Sequence, residues 1–299
     1  MKLIFKPALT VIISAFLMIP VISYAEHHAK MEEKKATSLD AILSAQDQDV
    51  QARFAFRHPR QTIEFFGIEP GMKVLEALPG GGWYTKILLP YLGQDGHILG
   101  VDYDIEMWSY FGGFADEVFL EKKKSWPETW AGKAQAWRGE HDASVSAATF
   151  STIPAESEGT LDAVLFIRAM HNLARFSDKG NYLGDAIDAS FRALKPGGIA
   201  GIVQHEARQD RPDDWANGSN GYLKKSMLIA AMEKGGFEFM GESDINSNAK
   251  DLAGEGDMVW RLPPTFATSG ENQELKAKMV EIGESNRMTL KFRKPINQE

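Results

Sequence analysis

Hydrophobic runs of strand length alternate with stretches of helical period through most of this chain, and that alternation limits the fold more than any other feature. It predicts parallel strands joined by crossover helices. The helical stretches space their apolar residues at three and four, as a helix packed on a sheet does. The first five predicted strands are "MKVLEAL", "GHILGVDY", "AQAWRG", "LDAVLFIRAM" and "GGIAGIVQH". The sequence therefore predicts an α/β fold with a mainly parallel sheet and helices on both faces.

The carboxyl-terminal part adds two predicted strands and two polar insertions. The stretch "KSMLIAAMEKGGFEFMGESDI" predicts a helix, a glycine stop and a sixth strand. In "RMTLKFRKP", Met288, Leu290 and Phe292 alternate with polar neighbours, which predicts a seventh strand with unequal faces. Residues 206–221 and 247–286 are polar insertions that contain glycine and asparagine. Insertions of this kind can build a lid or a substrate wall.

Residues 1–25 have the pattern of a secretory signal peptide, with two lysines, an apolar run and small residues at the end. Pro20 interrupts the apolar run, which favours cleavage after Ala25 over retention as a membrane anchor. We therefore expect a mature protein in the bacterial periplasm, without stable membrane insertion once the leader is removed. We expect residues 26–52 to form an N-terminal helical arm and residues 53–299 to form the main domain.

The composition is that of an ordinary globular protein, with 43% hydrophobic and 25% charged residues. A formal net charge of -8 argues against binding to a phosphate backbone, so we expect no nucleic-acid partner. The chain has no cysteine, and the spacing of its histidines matches no zinc motif, so we expect no metal site. The run "EKKK" at 121–124 is expected to be a solvated helix face.

The segment "VLEALPGGGWYTKIL" places three glycines between the first predicted strand and the next helix. Free N–H groups and the helix dipole at such a position favour an anionic or hydrogen-bond-accepting ligand group. Ligands of open α/β sheets bind at this edge. A tight turn that only relieves backbone strain is the simpler interpretation of a lone glycine loop. However, Asp102 ends the next predicted strand 20 residues after Gly82, the separation at which an acid meets a ribose diol.

Two ligand classes suit this arrangement, a dinucleotide and S-adenosylmethionine. A dinucleotide loop needs a third glycine so that the helix can pack closely on the strand. Counting from Gly80 and Gly82, that place is taken by Thr85. Its branched side chain disfavours nicotinamide-dependent oxidoreduction.

The ordered series "VLEALPGGGWYTKIL", "GVDYD", "LDAVLFIRAMHNL" and "ALKPGGIAGIVQH" resembles the motifs of class I S-adenosylmethionine-dependent methyltransferases. The stretch "RHPRQTIEFFGIEPGMKVLEALPGGGWYT", with the leader and the terminal "RMTLKF", is similar to a group of exported bacterial methyltransferases. The resemblance covers about residues 55–295. It implies a Rossmann-like, seven-stranded sheet with an antiparallel last strand. It also implies S-adenosylmethionine as cofactor and a small molecule as methyl acceptor.

The resemblance further implies a cofactor site. Glu76 matches the acid that closes the first strand, and Asp102 matches the acid that binds the ribose. Asp142 falls where the family places an acid near the adenine amino group, whereas Leu78 stands where the family usually has a glycine. The expected cofactor-binding residues are Glu76, Gly80, Gly81, Gly82, Asp102 and Asp142.

His171 and His205 follow the fourth and fifth predicted strands and are the candidate catalytic residues. A histidine can act as general base near neutral pH when the acceptor is an oxygen or nitrogen nucleophile. The competing interpretation is a histidine bonded to the backbone. We expect an acceptor pocket between "IRAMHNL" and "HEARQDRPDDWANGSNGY", the insertion that carries Trp215 and Tyr222. The alternative function is a non-catalytic periplasmic binding protein with the same fold.

Overall fold

The described residues fold around one mixed β-sheet, in which the parallel strands end at the same edge. The computed structural model describes residues 38–296, and the strands within them are β1 Lys73–Ala77, β2 His97–Asp102, β3 Ser144–Thr149, β4 Leu161–Ile167, β5 Leu194–Ala207, β6 Leu223–Lys224, β7 Glu238–Ser243 and β8 Arg287–Arg293. Their order is β3-β2-β1-β4-β5-β8-β7, with β6 paired to β5. Strands β1 to β5 are parallel, and β8 lies antiparallel between β5 and β7.

This sheet confirms the predicted Rossmann-like α/β fold with an antiparallel last strand. The predicted number of seven strands is wrong, because Leu223 and Lys224 form a further short strand against Glu206 and Ala207 of β5. This extra strand directly follows the insertion 206–221 and ties its far end to the sheet.

The segment "AQAWRG" is not the third strand. Trp130, Ala134 and Trp137 recur at intervals of four and three, and they pack one face of a helix, Trp126–Trp137, onto the sheet. The third strand is "SVSAAT" instead, whose mostly half-exposed residues form the sheet edge and lack an apolar run. The correction moves the carboxyl end of this strand to Thr149.

Helices cover both faces of the sheet, as predicted. The helices of the described residues are α1 Leu39–Ser44, α2 Gln48–Gln51, α3 Phe54–Arg57, α4 Pro59–Phe66, α5 Thr85–Leu92, α6 Ile105–Ser109, α7 Glu117–Lys124, α8 Trp126–Trp137, α9 Met170–Arg175, α10 Tyr182–Ala193, α11 Lys225–Lys234 and α12 Gln273–Ile282. Val74 shares a core cluster with Leu88 of α5, whereas its neighbour Leu75 shares another with Ile187 of α10. None of these helices is long and apolar enough to cross a membrane.

The leader predicted for residues 1–25 and the first part of the arm, residues 26–37, lie outside the described residues. The rest of the arm, residues 38–52, contains α1 and α2. Leu39 and Ile42 of α1 are buried in the same core cluster as α5. This part of the arm is therefore packed on the sheet-containing unit.

Two glycines of the sheet lie directly beneath aromatic rings. A Cβ atom on Gly100 of β2 would collide with the Trp130 ring of α8, and one on Gly201 of β5 would collide with the Phe66 ring of α4. Both rings are almost fully buried, so neither can turn into solvent. The close approach of these helices to the sheet depends on the absence of a side chain at each glycine.

We predict that Gly100→Ala lowers the free energy of unfolding by about 1–3 kcal/mol, because the added methyl group overpacks a buried contact with Trp130. Gly132→Ala in the same helix α8 is the matched control. A Cβ atom there meets nothing within 4 Å, so the change should stabilise the helix by about 0.5–1 kcal/mol. Urea unfolding measures both values, and an unchanged stability of Gly100→Ala would contradict the packing described.

Candidate functional site

The loop after β1 presents unpaired backbone donors at the carboxyl edge of the sheet. Gly82 N donates to the Pro79 carbonyl at 2.8 Å, and a Cβ atom on Gly82 would collide with the Trp137 ring. The N–H groups of Gly80 and Gly81 have no acceptor among the described residues. A Cβ atom on Gly81 would meet nothing within 4 Å, so this part of the loop faces open space. The arrangement suits an anionic or polar ligand group.

Leu78, at the position where the family resemblance implies a glycine, takes the left-handed backbone conformation with φ of 51°. Its N–H donates to the Val101 carbonyl of β2 at 2.7 Å, and its side chain packs against the core. A left-handed conformation at a non-glycine residue is strained by roughly 1–2 kcal/mol. The surrounding contacts therefore impose on leucine a backbone shape that glycine adopts freely.

Asp102 ends β2 at the same edge, and both of its carboxylate oxygens are engaged. Oδ1 accepts the N–H of Tyr103 at 2.8 Å, and Oδ2 accepts a hydrogen bond from Lys123 Nζ at 2.6 Å. Burial raises the pKa of Asp102, and the Lys123 charge opposes that effect. The ammonium group also lies 3.7 Å from the Trp108 ring centroid. The expectation of a solvated helix face at 121–124 is therefore wrong for Lys123.

Glu76 lies near the carboxyl end of β1, just before the glycine loop, and is only 3% exposed. Its Oε2 accepts the hydroxyl of Thr85 at 2.6 Å, which links β1 to the first residue of α5. Burial raises the pKa of Glu76 to about 7, and the Thr85 hydrogen bond opposes the shift. The ionisation state of this carboxyl group therefore changes close to neutral pH.

Asp142 lies at the opposite edge of the sheet from Asp102. It precedes the amino end of β3, whereas Asp102 pairs with Thr149 at the carboxyl end. The Asp142 carboxylate accepts the N–H of Gly139 at 2.8 Å and so caps a turn. The structure does not bring Asp142 to the other predicted site residues. The reason is the misplaced third strand, from which its position was inferred.

His171 and His205 meet where β4 and β5 end, with ring centroids 5.5 Å apart. His171 is buried, and its Nδ1 lies 3.3 Å from Gln204 Nε2. His205 is partly exposed, and its Nδ1 lies 2.6 Å from Ser285 Oγ. Burial lowers the pKa of His171 to about 4, and burial and neighbouring cations lower the pKa of His205. Both imidazoles are therefore neutral at neutral pH, and the ring bonds described go to side chains.

Both polar insertions pack against these histidines. Tyr222 stacks on Trp215 with centroids 5.5 Å apart, and its ring lies 6.2 Å from that of His205. Trp260, from the second insertion, lies 5.8 Å from the ring of His171. The insertions therefore build an aromatic wall beside the ends of β4 and β5.

A group of charged residues, whose convergence no sequence pattern indicated, completes this edge. The arginine cluster consists of Arg53, Arg57, Arg168 and Arg287 around Glu284. Arg53 and Glu284 are 231 residues apart in the sequence, so no local pattern signals their contact. The Arg57 guanidinium lies 4.7 Å from the ring centroid of Trp83, which directly follows the glycine loop.

The structure thus gathers most of the predicted site at one edge. The glycine loop, Glu76, Asp102 and the two histidines lie at the carboxyl ends of adjacent strands, and Asp142 does not. Within residues 38–296, no three histidine, aspartate or glutamate side chains converge so that they would hold a metal ion. The residues gathered at this edge supply hydrogen-bond donors and acceptors, charges and two imidazoles.

Comparison with known proteins shows the fold. No protein-family model matches the chain. It is similar to a chain in the complex of the Haloferax volcanii Trm112 methyltransferase activator with a methyltransferase, at 14% identity over 87% of this chain and 98% of that chain, with a TM-score of 0.50. A SAM-dependent methyltransferase structure from Aquifex aeolicus is 17% identical over 70% of this chain and 93% of that chain, with a TM-score of 0.44.

A short segment also matches a curated protein. It is 39% identical over 70 residues to the ribosomal RNA small subunit methyltransferase H of Solidesulfovibrio magneticus. The match spans 22% of this chain and 22% of that protein's length. It therefore shows a local similarity and does not establish the activity of the whole chain.

The raised pKa of Glu76 predicts a pH-dependent stability. Because the folded state holds the Glu76 proton up to about pH 7, whereas the ordinary pKa of a glutamate is 4.5, this stabilising contribution is complete at low pH and is lost as pH rises through 7. Glu76→Gln cannot ionise, so it should not show this loss of folding stability at higher pH. Relative to wild type, the variant should gain about 2–3 kcal/mol of unfolding free energy between pH 5 and pH 8. Urea unfolding at both pH values measures this, with exposed Glu69→Gln as control, and a pH-independent difference would contradict the raised pKa.

Proposed function

We propose that this protein is an S-adenosylmethionine-dependent methyltransferase that acts on a small-molecule acceptor in the bacterial periplasm. The observation that carries the proposal is that a buried Asp102 and the N–H groups of Gly80 and Gly81, which have no acceptor among the described residues, lie at the same carboxyl edge of the sheet. The fold of this sheet is similar to that of a chain in a methyltransferase complex structure. The periplasmic location rests on the leader pattern of residues 1–25.

The residues at the loop fit this cofactor. The open space above Gly81 would admit a ligand close to the backbone, and the N–H groups of Gly80 and Gly81 would donate to its polar atoms. Asp102 would accept hydrogen bonds from the ribose hydroxyls once the Lys123 ammonium group leaves its Oδ2 atom. Glu76, which the family resemblance implies as a cofactor-binding residue, is held at the end of β1 by the hydroxyl of Thr85. S-Adenosylmethionine supplies an activated methyl group when it is bound.

The two histidines differ in what they offer to an acceptor. Gln204 Nε2 donates to His171 Nδ1 and also to the Gly221 carbonyl at 3.1 Å. Neutral His171 therefore carries its proton on Nε2 and serves as a hydrogen-bond donor. When the Nδ1–H of His205 donates to Ser285 Oγ, the Nε2 atom of His205 keeps a free lone pair. We assign proton acceptance from the nucleophile to His205 and orientation of the acceptor to His171.

A non-catalytic binding protein with the same fold is the second candidate. Lys123 favours it, because its ammonium group already neutralises the carboxylate that a ribose would bind. Such a protein would bind another small ligand and form no demethylated product from S-adenosylmethionine. Mass spectrometry of small molecules that co-purify with the protein would identify its ligand under either function.

We predict that Asp102→Ala weakens the binding of S-adenosylmethionine by about tenfold or more, because hydrogen bonds to an ionised acceptor contribute roughly 1.5–3 kcal/mol each. Asp142→Ala is the matched control, since Asp142 lies at the other edge of the sheet. Isothermal titration calorimetry with S-adenosylmethionine and with its demethylated product measures the change. Wild-type affinity in Asp102→Ala would remove Asp102 from the site.

We predict that His205→Gln lowers methyl transfer by roughly a hundredfold, the usual contribution of a positioned base, without changing cofactor affinity. The measurement is the amount of demethylated cofactor formed during incubation with an extract of periplasmic small molecules. His97→Gln serves as control, because His97 starts β2 at the opposite edge and bonds to Ser144 and Ser146. If His171→Gln proves far more damaging than His205→Gln, the assigned roles are reversed.

A further inference from the structure

The arginine cluster contains more positive charge than its own carboxylate balances. In the described part of the chain, Glu284 is the acidic residue that pairs with Arg53, Arg57, Arg168 and Arg287. The side chains of Arg57 and Arg287 are only 8% and 3% exposed. Burial and the nearby Arg168 charge lower the pKa of Arg57 to about 10, although Glu284 opposes this shift. Buried cations without a matching anion are destabilising. An added negative charge would therefore stabilise this cluster of four arginines around one carboxylate.

Two members of the cluster also have donors without acceptors. The Arg168 guanidinium lies 3.9 Å from the Glu284 carboxylate and makes no hydrogen bond to any residue between 38 and 296. Its side chain is 27% exposed, so solutes can reach it. Arg287 Nε is buried and has no hydrogen-bond partner within the same residues. The cluster is therefore short of acceptors as well as of negative charge.

The backbone at Arg168 is also strained. Its φ is 60°, in the left-handed region, directly after β4 ends. The Arg168 N–H donates to the Val203 carbonyl of β5 at 2.6 Å, which holds this conformation. Strained non-glycine residues persist where neighbouring contacts enforce them, and they concentrate at functional sites. This geometry places the arginine between two strand ends.

The position of the cluster connects it with both parts of the candidate site. Arg57 stacks on Trp83 beside the glycine loop. On the other side, the charges of Arg168, Arg287 and Arg57 act on His205. A ligand group held by the cluster would therefore lie between the loop and the histidines.

We propose that the arginine cluster is an oxyanion site that binds a carboxylate or phosphate group of the molecule that enters this edge of the sheet. Planar guanidinium groups match both oxyanions with paired hydrogen bonds. An oxyanion supplies the acceptors that Arg168 lacks and offsets the excess charge around Glu284. That this group belongs to the methyl acceptor rests on the proposed function, and it makes the acceptor an anionic small molecule.

The test measures oxyanion binding without any cofactor. Inorganic phosphate and acetate are titrated separately into the mature protein, in a chloride buffer of constant ionic strength, by calorimetry and by tryptophan fluorescence. Arg168→Met, which replaces the aliphatic stem of the side chain and removes the guanidinium group, should weaken oxyanion binding at least about tenfold. Arg168→Lys keeps the positive charge but lacks the planar guanidinium group with its paired donors. Its oxyanion affinity should lie between that of wild type and that of Arg168→Met.

The matched control is Arg192→Met on α10, whose side chain is 61% exposed and far from the cluster in the fold. It should bind like wild type. Glu284→Gln should change binding in the opposite direction and tighten it severalfold, because the oxyanion then has no competing carboxylate. If that variant does not fold, the Arg168 series decides alone. The Arg168→Met protein should unfold at the same or a higher urea concentration than wild type, since it loses repulsion and no hydrogen bond.

The outcomes separate this inference from the proposed function. Binding of phosphate, acetate or both, lost in Arg168→Met and kept in Arg192→Met, supports the oxyanion site and identifies its preferred group. Absence of binding by both anions, or equal loss in the two variants, overturns it. S-Adenosylmethionine is titrated in parallel into wild type and Arg168→Met, where we expect equal affinity. If neither protein binds S-adenosylmethionine but wild type binds the oxyanion, the cofactor assignment is rejected and the oxyanion site is still supported.

Discussion

Glu284 accepts hydrogen bonds from three arginines that belong to two distant parts of the chain, the N-terminal helices and the start of β8. Removing one partner of a buried ion pair typically costs about 3–5 kcal/mol, so both parts depend on this carboxylate. Arg57, one of its partners, lies against Trp83 next to the glycine loop. Ser285, the next residue after Glu284, holds the ring of His205. The contact therefore supports both sides of the candidate site.

Local periodicity predicted the strands that are buried on both faces, because a continuous apolar run between two helical stretches is typical of a central strand in a parallel sheet. The same criterion failed at the edge of the sheet that β3 forms. The strand Ser144–Thr149 is mostly half-exposed, and "AQAWRG" next to it contains apolar residues that belong to a helix. The two-residue strand Leu223–Lys224 was also missed. It forms only because the insertion returns to β5, and no sequence period records such a contact.

The site shows the same division between local and distant information. Glu76, the loop glycines and Asp102 were predictable, because a strand, a loop, a helix and a second strand follow one another in sequence and in space. Asp142 was assigned to the site because it follows the segment mistaken for the third strand. The true third strand begins after Asp142, so this residue lies at the opposite edge of the sheet. The arginine cluster could not be predicted, since its pairs join residues near 53 and 284. The role of Lys123 was hidden because a charged run on a helix is usually solvated.

Lys123 would also affect how quickly a ligand reaches Asp102, if Asp102 binds one. A ligand that bonds to both oxygens of this carboxylate must first displace an ammonium group that already holds one of them. Association then includes an exchange step and is slower than docking into an open site. When the ligand leaves, Lys123 returns, so the carboxylate is never both buried and unpaired. By pairing the carboxylate whenever no ligand is bound, the ammonium group would stabilise the unbound state and so weaken the net affinity of any ligand that needs both oxygens.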